Sequence, residues 1–160
     1  MHPQIDAMFD EAENRYLKPD ELNTLNQYVE SLPDRLETYR CLRDQEVTIM
    51  QRVAEQLEQQ FPSEKIEVLE RCLKNALLVM RYSAMGMLLN DELFLQTRLI
   101  SWLEDTVKVF NTQTLDTALY RLLNQRLSET LTGPQLRLIQ PHLTLAERAL
   151  IQPAPTAPAL

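Results

Sequence analysis

Residues 70–91 read ERCLKNALLVMRYSAMGMLLND, and the character of the stretch changes partway along. It is polar before Ala76 and nearly apolar all round after it. That is the pattern of a helix that enters from the surface and finishes at the centre of a protein. At about 100° per residue, Asn75 lies roughly 60° from Cys72 around the axis, so the two share one face. Arg81 lies about 180° from Cys72, on the opposite side.

The flanking sequence reads as further helices. Pro19 suits a first helical turn, and Leu22, Leu25 and Val29 repeat at helical spacing. Pro33 is expected to open the next helix, with Leu36, Tyr39 and Leu42, followed by a stripe of Val47, Met50, Val53 and Leu57 that ends before Pro62. Ser63 reads as the cap of the central helix. Beyond it, LFLQTRLISWLEDTVKVF is amphipathic, and Asn111 or Thr112 starts a helix built on Leu115, Leu119, Leu122 and Leu123. Residues 132–152 are expected to form two short pieces broken at Pro141, with Thr144 and Glu147 at capping-box spacing. The spacing predicts one domain over 1–151, and the Pro/Ala-rich tail 152–160 reads as disordered.

Composition agrees with an all-α fold. Only two glycines, Gly86 and Gly133, are present in 160 residues, leaving little turn chemistry for hairpins. A net charge of −7 argues against a nucleic-acid partner, which would need a basic face. No apolar run approaches the length of a transmembrane span, so none is expected. The N-terminal sequence lacks the order of a signal peptide, and the two cysteines, Cys41 and Cys72, read as free thiols in a reducing, cytoplasmic setting.

Chemistry-bearing motifs are sparse. His2 and His142 have no helical partner at metal-ligand spacing, and His142 falls in a Pro-flanked stretch that reads as an exposed turn. No glycine-rich loop could cradle a phosphate, and no nucleophile motif is complete, so an enzyme is not expected. The run DEAENR at 10–15 reads as a solvated face.

The stretches EAENRYLKPDEL at 11–22 and CLKNALLVMRYSAMGMLLND at 72–91 resemble the phycobiliprotein family of phycobilisomes, the allophycocyanin-like subunits most closely. Cys72 is followed by Arg81, Gly86 and Asp91 at the family's spacings without a gap. CLRD at 41–44 spells the family's attachment motif more closely, but the residues at the later spacings do not match, so Cys41 is read as a small core residue. The resemblance implies a globin-like helical bundle with an N-terminal helical hairpin used for dimerisation. It implies a phycobilisome-associated light-harvesting subunit, cytoplasmic or at the thylakoid surface. Its cofactor would be an open-chain tetrapyrrole of phycocyanobilin type, thioether-linked to Cys72, with Lys74, Asn75 and Trp102 as pocket residues. Its partner would be another phycobiliprotein-like subunit, in a homo- or heterodimer, engaged by Arg81 and by Glu11, Arg15 and Tyr16 of the hairpin.

The sequence departs from the family where Asn75 replaces the Asp that receives the inner pyrrole N–H groups. An amide oxygen accepts a hydrogen bond but brings no counter-charge. Lys74 replaces an Arg, keeping charge but losing the planar fork. Two readings follow. One is a subunit carrying a bilin at Cys72. The other is a pigment-free paralogue acting as an assembly, capping or regulatory factor. A globin-like haem domain lacks its mid-helix histidine.

Overall fold

The computed structural model describes residues 2–151, apart from the side chains of Val107 and Lys108, and the regular structure within them is helical. α1 (Pro3–Asp10) and a turn lead into α2 (Pro19–Gln60), followed by α3 (Ile66–Leu89) and α4 (Glu92–Leu95). A π-helical turn, Gln96–Ile100, joins α4 to α5 (Ser101–Phe110), and α6 (Gln113–Thr130) and α7 (Gly133–Ile151) complete the fold. The tail 152–160, expected to be disordered, lies outside the described residues.

α3 is the central element, as its sequence predicts. Val79, Met80, Ser83, Ala84, Gly86 and Met87 are buried in its second half, where α2, α6 and α7 pack around it. Gly86 has a specific task there. A β-carbon on it would lie 2.9 Å from His142 Nδ1 and 3.1 Å from the Asp91 carbonyl, so α7 can cross α3 this closely only where a side chain is missing.

His142 is thus a correction to the sequence reading. It is 3% exposed, inside α7, with Nδ1 lacking a hydrogen-bond partner. Its position follows from a second correction: α7 does not break at Pro141. Pro141 lies on the exposed face, where the carbonyl it leaves unbonded can be met by water. Thr144 and Glu147 consequently sit within the helix rather than at a cap.

Pro33 is overruled in the same way. It is exposed within one continuous helix, α2, whose 42 residues span about 63 Å. Ser63 does not cap α3 either; Lys65 holds the N-cap position. Cys41 is half-buried and packs against the core, as expected for a small apolar residue.

The buried residues of α2 begin only at Thr38 and continue through Leu42, Ile49, Val53 and Leu57. Its first half is anchored by polar contacts to the end of α3. Arg35 Nη1 donates to the Met87 carbonyl at 2.5 Å, Arg35 Nη2 to Asn90 Oδ1 at 3.0 Å, and Tyr28 Oη to the Leu88 carbonyl at 3.4 Å. Carbonyls in the last turn of a helix lack the i+4 amide donor, and a cation is favoured at that end. Asn90, at φ 51°, ends α3 in the left-handed conformation that asparagine tolerates.

α1 folds back along α2, with the His2 and Tyr28 rings edge to face at 5.6 Å. The intervening turn is fixed by Arg15, whose Nη1 and Nη2 each donate to a Glu21 carboxylate oxygen at 2.8 Å. Glu21 also accepts from the Lys18 backbone N–H at 2.7 Å. These bonds hold its carboxyl at a pKa of about 2. The chain therefore has the N-terminal helical hairpin expected of it.

Candidate functional site

Cys72 is 2% exposed, and its thiol faces α6 rather than solvent. Across from it lies the Asp116 carboxyl, itself 4% exposed and at hydrogen-bonding range of the thiol. The Thr112 hydroxyl donates to Asp116 Oδ2 at 2.6 Å and is also within reach of the sulfur. Tyr120, buried one turn further along α6, completes the lining. On the outer side, the Arg71 guanidinium carbon sits 3.9 Å above the centre of the Phe110 ring, a cation–π contact that ties the end of α5 to the turn bearing Cys72.

Electrostatics make this a quiet thiol. Burial, reinforced by the neighbouring Asp116 carboxylate and the hydrogen bond to it, pushes the Cys72 pKa up to about 12. Burial likewise raises the Asp116 carboxyl, partly offset by the hydrogen bonds from Thr112 and Cys72. Burial also raises the Tyr120 phenol, with Asp116 and Cys72 adding to the effect. Thiolate is the nucleophilic form, so the folded site holds Cys72 in its unreactive state.

The other residues expected at this site are not gathered around the sulfur. Lys74 is exposed on the opposite flank of α3, lining a cleft of about 400 Å³ against Val47 and Met50 of α2. Asn75 is half-buried one turn on from Cys72. Trp102 lies on α5 and is 58% exposed, while the aromatic that reaches the Cys72 turn is Phe110. The Cys72 sulfur is covered, position 75 carries an amide rather than a carboxylate, and the acid across from the sulfur, Asp116, is engaged with the thiol itself.

Sequence reasoning missed Asp116, Thr112 and Phe110. One signal was available: Asp116 lies on the stripe of Leu119, Tyr120 and Leu123, and a carboxylate on an apolar helix face needs a partner.

A second set of residues faces outward. Arg81, 56% exposed at its side chain, grips Glu46 of α2 through Nε at 2.7 Å and Nη2 at 2.5 Å, which holds the Glu46 carboxyl below its usual range. This pair borders a cleft of about 460 Å³ lined by Tyr39, Leu42, Met85 and the stacked rings of Tyr82 and Phe94, 5.8 Å apart. Along the projecting half of α2, Leu22, Val29 and Leu36 are 51%, 52% and 39% exposed. Leu25, Leu32 and Tyr39 alternate with them, half-buried. This is a seam of apolar residues at heptad spacing, of which Leu22, Val29 and Leu36 are left exposed in the monomer. On the hairpin, Glu11 keeps a looser contact with Arg15 Nε at 3.6 Å and stays half exposed, and Tyr16 is 96% exposed. Arg15 itself is committed to Glu21, so it shapes the turn.

Among the described residues, no helix is long and apolar enough to cross a membrane, and no cluster of His, Cys, Asp and Glu is set to hold a metal ion. Comparison with individual curated proteins returns no match. The family model described as phycobilisome protein matches residues 8–150, covering α2 to α7 and most of the hairpin. With its all-α globin-like architecture, the chain belongs to the phycobilisome protein family.

Proposed function

We propose that this chain is a phycobilisome-associated subunit that docks on another phycobiliprotein-like chain at the thylakoid surface. Family membership over residues 8–150 carries the assembly role. The exposed seam of α2, together with the Arg81 cleft, supports docking as the means. The occupant is the N-terminal hairpin of the partner chain. Its acidic stretch, which in this chain runs through Asp10, Glu11 and Glu13, complements Arg43 and Arg81 at the rim of the cleft. On docking, Arg81 would exchange or share its contact with Glu46 for an acid of the partner, the counterpart of Glu11. A bidentate guanidinium contact of this kind fixes register as well as affinity. The covered thiol and the missing +3 carboxylate favour the pigment-free form, acting in assembly, capping or regulation rather than in catalysis.

The test is sedimentation equilibrium of the chain alone and mixed with allophycocyanin-type subunits, comparing wild type with Arg81→Glu. Charge reversal is expected to weaken association at least tenfold at unchanged helicity, since truncating one partner of a hydrogen-bonded interfacial charge costs about 2 kcal/mol or more. Association of wild type with itself identifies a homodimer, and with the added subunit a heterodimer. Unchanged association in Arg81→Glu would remove the docking assignment.

A second reading, a pigment-bearing subunit, is favoured by one observation: Cys72, the residue that the resemblance matches to the attachment site, is a free thiol. Production in a host that makes phycocyanobilin and attachment enzymes, followed by denaturation in acidic urea, decides it. Colour that stays with wild type and is lost in Cys72→Ala establishes attachment. A colourless chain that still associates establishes the pigment-free form.

A further inference from the structure

The end of α3 is held from two sides. From α2, Arg35 donates to the Met87 carbonyl and to Asn90 Oδ1, and its Nε donates to Ser31 Oγ at 2.9 Å, which braces the guanidinium against its own helix. From α7, the buried His142 ring lies against Gly86 with Nδ1 unpartnered. Between them runs the joint into α4. There Asn90 turns the chain, and Asp91 Oδ1 accepts from the Phe94 N–H at 3.1 Å to start the next helix. Arg35 thus grips this joint at Asn90, while the carbonyl of the next residue, Asp91, meets the same point above Gly86 as the His142 ring.

The projecting half of α2 depends on that grip. Among the described residues of α2 none before Thr38 is buried, so Arg35, with Tyr28, does much of the anchoring. A segment with few buried contacts belongs to the low-stability end of a fold, where local opening is easiest. Among the described residues, the charged groups that act on the His142 ring are Arg35 from α2 and Asp91 and Glu92 from the α3–α4 joint. An imidazolium would be repelled by the first and attracted by the other two.

We propose that His142 is an acid-sensitive latch on the N-terminal arm, residues 2–36. With the ring neutral, Arg35 clamps the end of α3. With the ring protonated, the Asp91–Glu92 joint is drawn towards α7 and Arg35 is pushed away, so both halves of the Arg35–Asn90 contact are pulled apart. The arm is then released while the core around α3 stays folded. Burial favours the neutral ring in the clamped state, and water admitted on release relieves that penalty. The sign follows: the folded pKa lies below the ordinary 6.5, so the clamp is complete above 6.5 and is lost as pH falls through the lowered value. The turn of the hairpin does not share this window, because the Glu21 carboxyl, held at about 2, keeps its bonds to Arg15. The latch belongs to the isolated chain; that acid also weakens docking rests on the assembly role proposed above.

Hydrogen exchange of the full chain, read by mass spectrometry at pH 7.5 and 5.0 and corrected for the intrinsic pH dependence of exchange, tests the latch. On acidification, protection over residues 22–36 and 88–90 is expected to fall about tenfold or more relative to α6, as for the loss of a hydrogen bond to a charged donor. His142→Gln, which does not titrate, should keep the arm equally protected at both pH values. Arg35→Met should leave it loose at both. Three results would overturn the proposal: an arm that keeps its protection at pH 5.0, a loss shared equally by α6, or an acid-induced loss that persists in His142→Gln. The comparison of arm with α6 in wild type decides the matter even if a variant fails to fold. Sedimentation with allophycocyanin-type subunits at the same two pH values separates the readings: an arm that loosens in acid while association is unchanged upholds the latch and removes the docking role.

Discussion

His142 Nδ1 lies 2.9 Å from the point where Gly86 would carry a β-carbon. The glycine at the family's spacing after Cys72 is thus the residue that lets α7 cross α3, and the buried imidazole fills the space it leaves.

Gly86→Ala should therefore destabilise the fold even though alanine is the better helix former by about 1 kcal/mol. The added methyl meets the ring on one side and the Asp91 carbonyl, at 3.1 Å, on the other. Overpacking of this kind typically costs about 1–3 kcal/mol. Urea unfolding followed by circular dichroism measures it. A double-mutant cycle with His142→Ala should show favourable coupling, since removing the ring relieves one of the two clashes.

The same imidazole makes stability depend on pH. Burial lowers the His142 pKa below its ordinary 6.5, with Glu92 and Asp91 opposing and Arg35 adding to the shift. The unfolded chain then binds the proton more readily than the folded one. Its stabilising contribution is complete above the unfolded pKa and is lost as pH falls through the depressed folded value. The urea midpoint should fall on acidification from pH 7.5 to 5.5, and His142→Gln should flatten that slope. An equal slope in both proteins would place the sensitivity elsewhere.

Asp116 carries the opposite sign. Its carboxyl is raised by burial, so its contribution is complete below the unfolded value of 3.8 and is lost as pH rises through the folded one. Asp116→Asn keeps an acceptor for Thr112 without the charge. It should stabilise the protein at pH 7, where the buried carboxylate is unfavourable. The gain should vanish near pH 4. Thermal melts at the two pH values test this.

Arg35→Met keeps most of the apolar stem and removes the guanidinium that caps α3 through Met87 and Asn90. Hydrogen bonds to a charged group contribute about 1.5–3 kcal/mol, and the Met87 carbonyl loses this donor. Hydrogen exchange should show protection falling first at Leu88, Leu89 and Asn90 and along the projecting half of α2. Uniform loss across the whole chain would instead indicate a global effect.

Part of this architecture was legible in residue spacing. The polar-to-apolar change along α3 named the central helix, and the intervals from Cys72 to Arg81, Gly86 and Asp91 placed the chain in its family. Amphipathic periodicity is a local property, so it survives being read from one sequence. The prolines misled for the same local reason. Pro33 and Pro141 look like breaks, but each lies on an exposed face of a helix whose other side is held by packing, and packing outweighs one missing N–H.

What the sequence by itself determined was the helical class and the family. Only the tertiary structure decided the state of Cys72. Cys72 and Asp116 are 44 positions apart in the chain, and no local pattern pairs them. Their contact exists because α3 and α6 pack face to face, and in that buried contact the acid helps to keep the thiol protonated. In the same way no local pattern links Arg81 to Glu46, 35 positions earlier, yet the folded chain pairs them. Long-range electrostatics of this kind belong to the fold, because charge and burial act through space and not along the chain.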